Sequence, residues 1–279
     1  MVIWQADFYR RPLKNEAGEK LWELLLCDAD RNFEFSSFCP QSQVNSSWIV
    51  QQLKDVSQGK TLPNSLQVFR PQSLGLIEAA GKILDVKVEA TRRTISLKQL
   101  LEERSKEYLK MTNYTGEADN LVVLESPPPV PLPENLWGDR WRFAALPAGE
   151  IEDAFNSRPI PILEMPELLL PLNLGLASTI PIPGVIIDGG RQSMRLARWL
   201  QAAKPFALNY IPGAPDGLIL EAGLVDRWIV ATFEDSEVKA AGKVYQERQA
   251  LSKGLHFLLV QPDDSGMTYT GFWLLNFSR

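Results

Sequence analysis

Ile3-Trp4-Gln5-Ala6-Asp7-Phe8-Tyr9-Arg10-Arg11-Pro12 is an aromatic-rich run that reads as a β-strand, halted by two arginines and a proline. Two more strand candidates follow at short intervals. Lys20 to Asp28 is almost continuously apolar, the pattern of a strand covered on both faces. After a turn at Asp28 to Asn32, Phe33-Glu34-Phe35-Ser36-Ser37-Phe38 forms the third. Such short connections predict an antiparallel meander with the first strand near the centre of the sheet.

Beyond the meander the pattern alternates. Ser46 or Ser47 is placed to cap a helix with Trp48, Ile49, Leu53 and Val56 on one face, stopped by Gly59. Ser65 to Arg70 reads as a short strand, and Ser73 as the cap of a second helix. Val86 to Thr91 alternates as a strand and ends at Arg92-Arg93, and Ser96-Leu97-Lys98-Gln99 resembles a capping box that opens a third helix. The order βββαβαβα predicts an α/β domain with a ribonuclease-H-like mixed sheet, in which the first, fourth and fifth strands are parallel neighbours. Their C-terminal ends carry Arg10, Arg11, Arg70, Arg92 and Arg93, on the edge where open α/β sheets bind ligands. A positive rim is the expected candidate site.

The sequence divides into an N-terminal domain at 1–125, a proline-rich linker at 126–136 and an α+β C-terminal domain at 137–279. In the last of these, Trp141 to Leu146, Val185 to Ile187, Phe206 to Ile211, Leu218 to Glu221 and Trp228 to Phe233 read as strands. Helices are expected at Gly149 to Asn156, at Arg191 to Ala203 and from Ser236 to about Lys253, the last ended by Gly254. Leu255 to Gln261 and Thr270 to Phe277 form a hairpin candidate.

The net charge of −5 is spread over both parts: residues 1–125 hold 16 Lys and Arg against 17 Asp and Glu, and the rest 13 against 17. Attraction to a polyanion therefore requires a local cationic patch. Cys27 and Cys39 match no zinc or redox spacing and read as reduced, structural thiols. The most apolar stretch, Pro159 to Gly184, is broken by prolines and glycines and carries Glu164 and Glu167, so no membrane span is expected. No secretory or transit-type segment is recognisable at Met1, and the expected location is cytoplasmic.

Two-metal hydrolysis needs several converging carboxylates, and only Asp7 stands where one would be needed, with Asp55 far along the first helix. No metal site and no cofactor are expected. His256 is the sole histidine and reads as a hydrogen-bonded structural residue. Asp188-Gly189-Gly190-Arg191 joins a strand to a helix, either as a plain turn or as a phosphate contact helped by Arg191, Arg195 and Arg198. Of the 8 tryptophans, Trp137 or Trp141, beside Arg140 and Arg142, are the ones expected to be open to a ligand.

The opening Trp4 to Pro12, the run Trp22 to Asp28, and the closing Gly254-Leu255-His256-Phe257-Leu258-Leu259-Val260-Gln261 with Gly271-Phe272-Trp273-Leu274-Leu275 resemble the Tab/ATAB family. The resemblance implies a non-catalytic protein that binds A/U-rich single-stranded RNA and supports translation or assembly of photosystem subunits. The lack of a transit-like start matches a cyanobacterial-type member. The family supplies no RNA-contacting residues to carry over, so the RNA-binding residues expected are those of the rim together with Arg191. Two readings stand beside this one: a scaffold that docks translation or photosystem assembly proteins, and a metal-dependent nuclease using Asp7.

Overall fold

β1 (Ile3–Lys14) lies at the centre of a five-stranded sheet, flanked on one side by β2 (Lys20–Asp28) and β3 (Glu34–Pro40) and on the other by β4 (Ser65–Val68) and β5 (Lys87–Ala90). The computed structural model describes residues 2–57, 62–116 and 127–277. Strand order is β3-β2-β1-β4-β5; the meander is antiparallel, whereas β1, β4 and β5 run parallel with Ala6, Val68 and Ala90 in register. The helices between these parallel strands are α1 (Ser46–Ser57) and α2 (Pro71–Leu84), with α3 (Ile95–Tyr108) following β5. The α1 and α2 side of the sheet encloses Trp4, Ala6, Phe8, Leu24, Leu26, Ile49, Leu53 and Ile77, and the α3 side encloses Leu25, Phe69, Leu97 and Leu101.

The helix starts differ from the expected caps. Asn45 Oδ1 accepts from the Trp48 amide at 2.8 Å, so asparagine and not serine caps α1. α2 begins at Pro71, whose fixed φ suits the first helical position, and Ser73 Oγ donates back to the Arg70 carbonyl. The capping box at Ser96 does not form: Gln5 Oε1, reaching from β1, accepts from the Leu97 amide at 2.9 Å. Gly59 and Ser126 lie outside the described residues.

The chain divides into two compact units, residues 1–125 and 126–278. The second contains β6 (Val130–Pro131), β7 (Arg140–Pro147), α4 (Ile151–Asn156), β8 (Ile162–Glu164), β9 (Pro181–Asp188), α5 (Ser193–Ala203), β10 (Pro205–Ile211), β11 (Asp216–Ala222), β12 (Asp226–Phe233), α6 (Ser236–Leu251), β13 (Leu255–Gln261) and β14 (Gly271–Asn276). They form a sheet β10-β11-β12-β6 and a sheet β7-β9-β13-β14-β8. The two share one core that includes Leu208, Leu218, Val185, Leu258 and Trp273. The proline-rich stretch is not a free linker from Pro127 onward. Val130 and Pro131 pair in parallel with Trp228 and Ile229, and Leu132 and Leu136 are buried in this core. Extended proline geometry suits an edge strand, and the two leucines supply the reason to dock.

The histidine expectation holds. His256 Nε2 accepts from the Leu208 amide at 2.8 Å, which leaves the ring proton on Nδ1 facing the Gly254 carbonyl at 2.8 Å. Burial pushes its pKa down to about 4. Cys27 and Cys39 are free, buried thiols, raised chiefly by burial to about 12 and about 11. Among the described residues no helix is long and apolar enough to cross a membrane.

Candidate nucleic-acid interface

The expected arginine rim splits into two populations because β1 does not stop at Arg11. It continues to Lys14 through a break in register with β2 between Arg10 and Lys14. Arg10 is exposed, with its guanidinium 5.6 Å from the Tyr9 ring centre, while Arg11 is buried. Arg70, just past β4, is buried as well. These two residues are a correction to the rim: neither is open to an external phosphate.

The reason is Asp7. Its carboxylate is buried on β1, where an unpaired charge would be costly. Arg70 Nε donates to Oδ1 at 2.7 Å, and Arg11 Nη2 donates to Oδ2 at 2.9 Å. Burial pushes the Asp7 carboxyl up, but Arg70 and then Arg11 outweigh it and hold the group below the ordinary carboxylate range. Arg11 Nε also donates to Glu23 Oε2 at 2.8 Å, and Tyr108 Oη donates to the same oxygen. Glu23 Oε1 accepts from Arg104 and, at 2.7 Å, from Ser36 Oγ. Burial likewise raises Glu23, and Arg11, Tyr108 and Arg104 together keep it ionised.

Three guanidinium groups thus face two carboxylates inside the first unit. Asp7 has both oxygens occupied by cationic donors, which opposes a divalent cation. Among the described residues no group of three or more His, Cys, Asp or Glu side chains is arranged to hold a metal.

What stays accessible at this edge is Arg10, together with half-buried Arg92 and Arg93 on the segment after β5. Half-buried Tyr9 has the Arg70 guanidinium 4.3 Å from its ring centre and Trp22 edge-on at 5.7 Å.

In the second unit Arg191, Arg195 and Arg198 are all exposed. The turn before them is a plain one. The Gly189 and Gly190 amides donate to the Gln261 and Pro262 carbonyls at 2.8 and 2.9 Å, so they are unavailable to an anion. An acid also crowds the turn, since a Cβ on Gly190 would meet Asp139 Oδ2 at 2.2 Å. Asp188 is buried against Arg142 and Gln261. Arg191 therefore offers an anion its exposed side chain and not the amides of the glycine turn.

The tryptophan expectation resolves to one residue. Trp137 is 56% exposed, whereas the other tryptophans are buried or half-buried. Arg142 is spent on Asp188, but Arg140 projects outward with 76% of its side chain exposed and Asp264 3.9 Å away. Arg140 is the one in register with Asp188 of β9, yet it is Arg142, opposite Ile186, whose guanidinium reaches the carboxylate.

Fold and site together define a protein with a buried, arginine-locked carboxylate pair and separate outward cations. The models that match it are those of RNA-binding proteins: "RNA-binding protein Tab2/Atab2 N terminal" matches residues 3–104, and "RNA-binding protein Tab2/Atab2, C-terminal domain" matches residues 119–276. The chain belongs to the Tab2/Atab2 family. It is 31% identical over 278 residues to the protein TAB2 homolog, chloroplastic, of Zea mays, covering 98% of this chain and 70% of that protein. With the Arabidopsis thaliana protein of the same description the identity is 29% over 277 residues, 98% of this chain and 74% of the other. Among solved structures, a simian T-cell lymphotropic virus intasome complex aligns over 50% of this chain and 61% of that one, at 14% identity and a TM-score of 0.30, too low to bear on the fold.

Proposed function

We propose that the chain is a non-catalytic protein that binds single-stranded, A/U-rich RNA and supports translation or assembly of photosystem subunits from a cytoplasmic compartment. In this reading the first unit is a ribonuclease-H-like domain in which arginines have replaced the metal ions, and residues 1–125 and the unit after them are two domains. The observation that carries it is the pairing of Asp7 with Arg70 and Arg11 in a member of an RNA-binding family. A carboxylate so held gives a strand edge that can bind a phosphodiester without hydrolysing it. The phosphate contacts are assigned to Arg10, Arg92 and Arg93, with Arg191 as a further contact in the second unit.

Filter binding of a labelled A/U-rich RNA tests this. Replacing Arg10, Arg92 and Arg93 by alanine is expected to weaken retention and to reduce the salt slope of log K by up to about 0.7 per lost phosphate contact. Unchanged affinity and slope remove the rim from the mechanism. No saturable retention by the native chain at physiological salt favours a protein-docking scaffold, and RNA cleavage with magnesium or manganese overturns the non-catalytic assignment.

A further inference from the structure

The second unit holds a cavity of about 430 Å³ that the buried network and the rim leave unused. Its size lies within the range of about 300–1,000 Å³ usual for small-ligand sites. One wall is aromatic. Trp137, the exposed tryptophan, is fixed at the mouth because its Nε1 donates to the Leu132 carbonyl at 2.8 Å. Trp141 lines the interior and is held by Phe143 and Phe233, each with its ring centre 5.3 Å away.

β12 also lines the cavity. β6 pairs with β12 only at Trp228 and Ile229, so the next residues, Val230 to Thr232, line the cavity on the strand edge past the end of β6. A strand edge offers amide donors and carbonyl acceptors in one plane. Arg140, outward and cationic, lines the same opening.

A flat aromatic surface, a strand edge of donors and acceptors, and a cation at the entrance match the face of a nucleobase, its hydrogen-bonding edge and a phosphate. We propose that this cavity accepts one unstacked nucleobase of a single-stranded RNA, with its face on Trp137, its hydrogen-bonding edge toward Val230 to Thr232 and its phosphate near Arg140. The inference rests on the RNA-binding reading above and gives it a base-recognition site distinct from the phosphate-binding rim. An aliphatic side chain from a protein partner would fill the same volume but leave Arg140 and the strand edge without a role.

The test uses the full chain with AMP, UMP and ribose 5-phosphate as probes, followed by tryptophan fluorescence, and an A/U-rich RNA followed by polarisation. The nucleotides are expected to quench fluorescence saturably while ribose 5-phosphate does not, and Trp137→Ala is expected to abolish that response. The same variant should weaken RNA binding at least about fivefold without altering the salt slope, and Trp137→Phe should retain most of the affinity. Trp137 is exposed, so these variants keep the core intact. RNA binding equal to the native chain's in Trp137→Ala, or equal quenching by ribose 5-phosphate, overturns the base site while leaving the RNA reading intact. A native chain that binds no RNA and no nucleotide overturns both.

Discussion

Asp7→Asn is the most informative single change. It removes the negative charge that sits between the two buried guanidinium groups of Arg70 and Arg11. Three hydrogen bonds are affected, from Arg70 Nε at 2.7 Å, Arg70 Nη2 at 3.4 Å and Arg11 Nη2 at 2.9 Å. Breaking a buried ion pair from one side costs about 3–5 kcal/mol, a large part of the roughly 5–15 kcal/mol that holds a domain folded. With a urea dependence of about 2 kcal/mol per molar, the midpoint of the first unit should fall by about 2 M. Urea titration followed by near-ultraviolet circular dichroism reads this, with Trp4 and Trp22 as reporters in the unit. The double variant Asp7→Asn with Arg70→Met should recover part of the loss, since it removes one of the two cations that the lost carboxylate had faced. If Asp7 were a metal ligand, Asp7→Asn would relieve carboxylate crowding and leave the midpoint unchanged or higher, and magnesium would stabilise only the native chain. That outcome would refute the ion-pair account.

Two further outcomes concern the second unit. His256 is neutral when folded, with its pKa near 4 against 6.5 free, so proton uptake favours the unfolded chain. Its stability contribution is full above pH 6.5 and is lost by up to about 3 kcal/mol as pH falls toward 4, a slope that His256→Gln should flatten in pH-dependent urea melts. Gly184 lies in register with Phe257, and a Cβ there would meet the ring at 2.3 Å. Gly184→Ala should therefore lower stability by about 1–3 kcal/mol, and an unchanged melting temperature would contradict the packing described.

The strand order of the first unit was legible because short loops and a period-two pattern leave few alternatives, and β1, β4 and β5 are parallel neighbours. The site was only half legible. Arg10 and Arg11 are adjacent and point to opposite faces of β1, and Arg11 is the one that shares a face with buried Asp7. One signal was present: Glu23 is a single acid inside the apolar run Leu21 to Cys27, and an acid there demands a buried cation. Followed through, it would have claimed Arg11 for the core. The supposed linker carried a comparable sign in Leu132 and Leu136, apolar residues spaced to dock. Caps failed for another reason: Gln5, remote in sequence, satisfies the Leu97 amide that a local side chain was expected to hold.

The charged cluster also orders events during synthesis. Asp7 meets Arg70 across 63 residues of chain, and Glu23 meets Arg104 and Tyr108 across 81 and 85. A nascent polypeptide halted after α2 can neutralise Asp7 but has no Arg104 or Tyr108 to share Glu23 with Arg11. The donors around Glu23 are therefore complete only once Tyr108 has cleared the ribosomal exit tunnel, which makes α3 the latch of the unit's maturation.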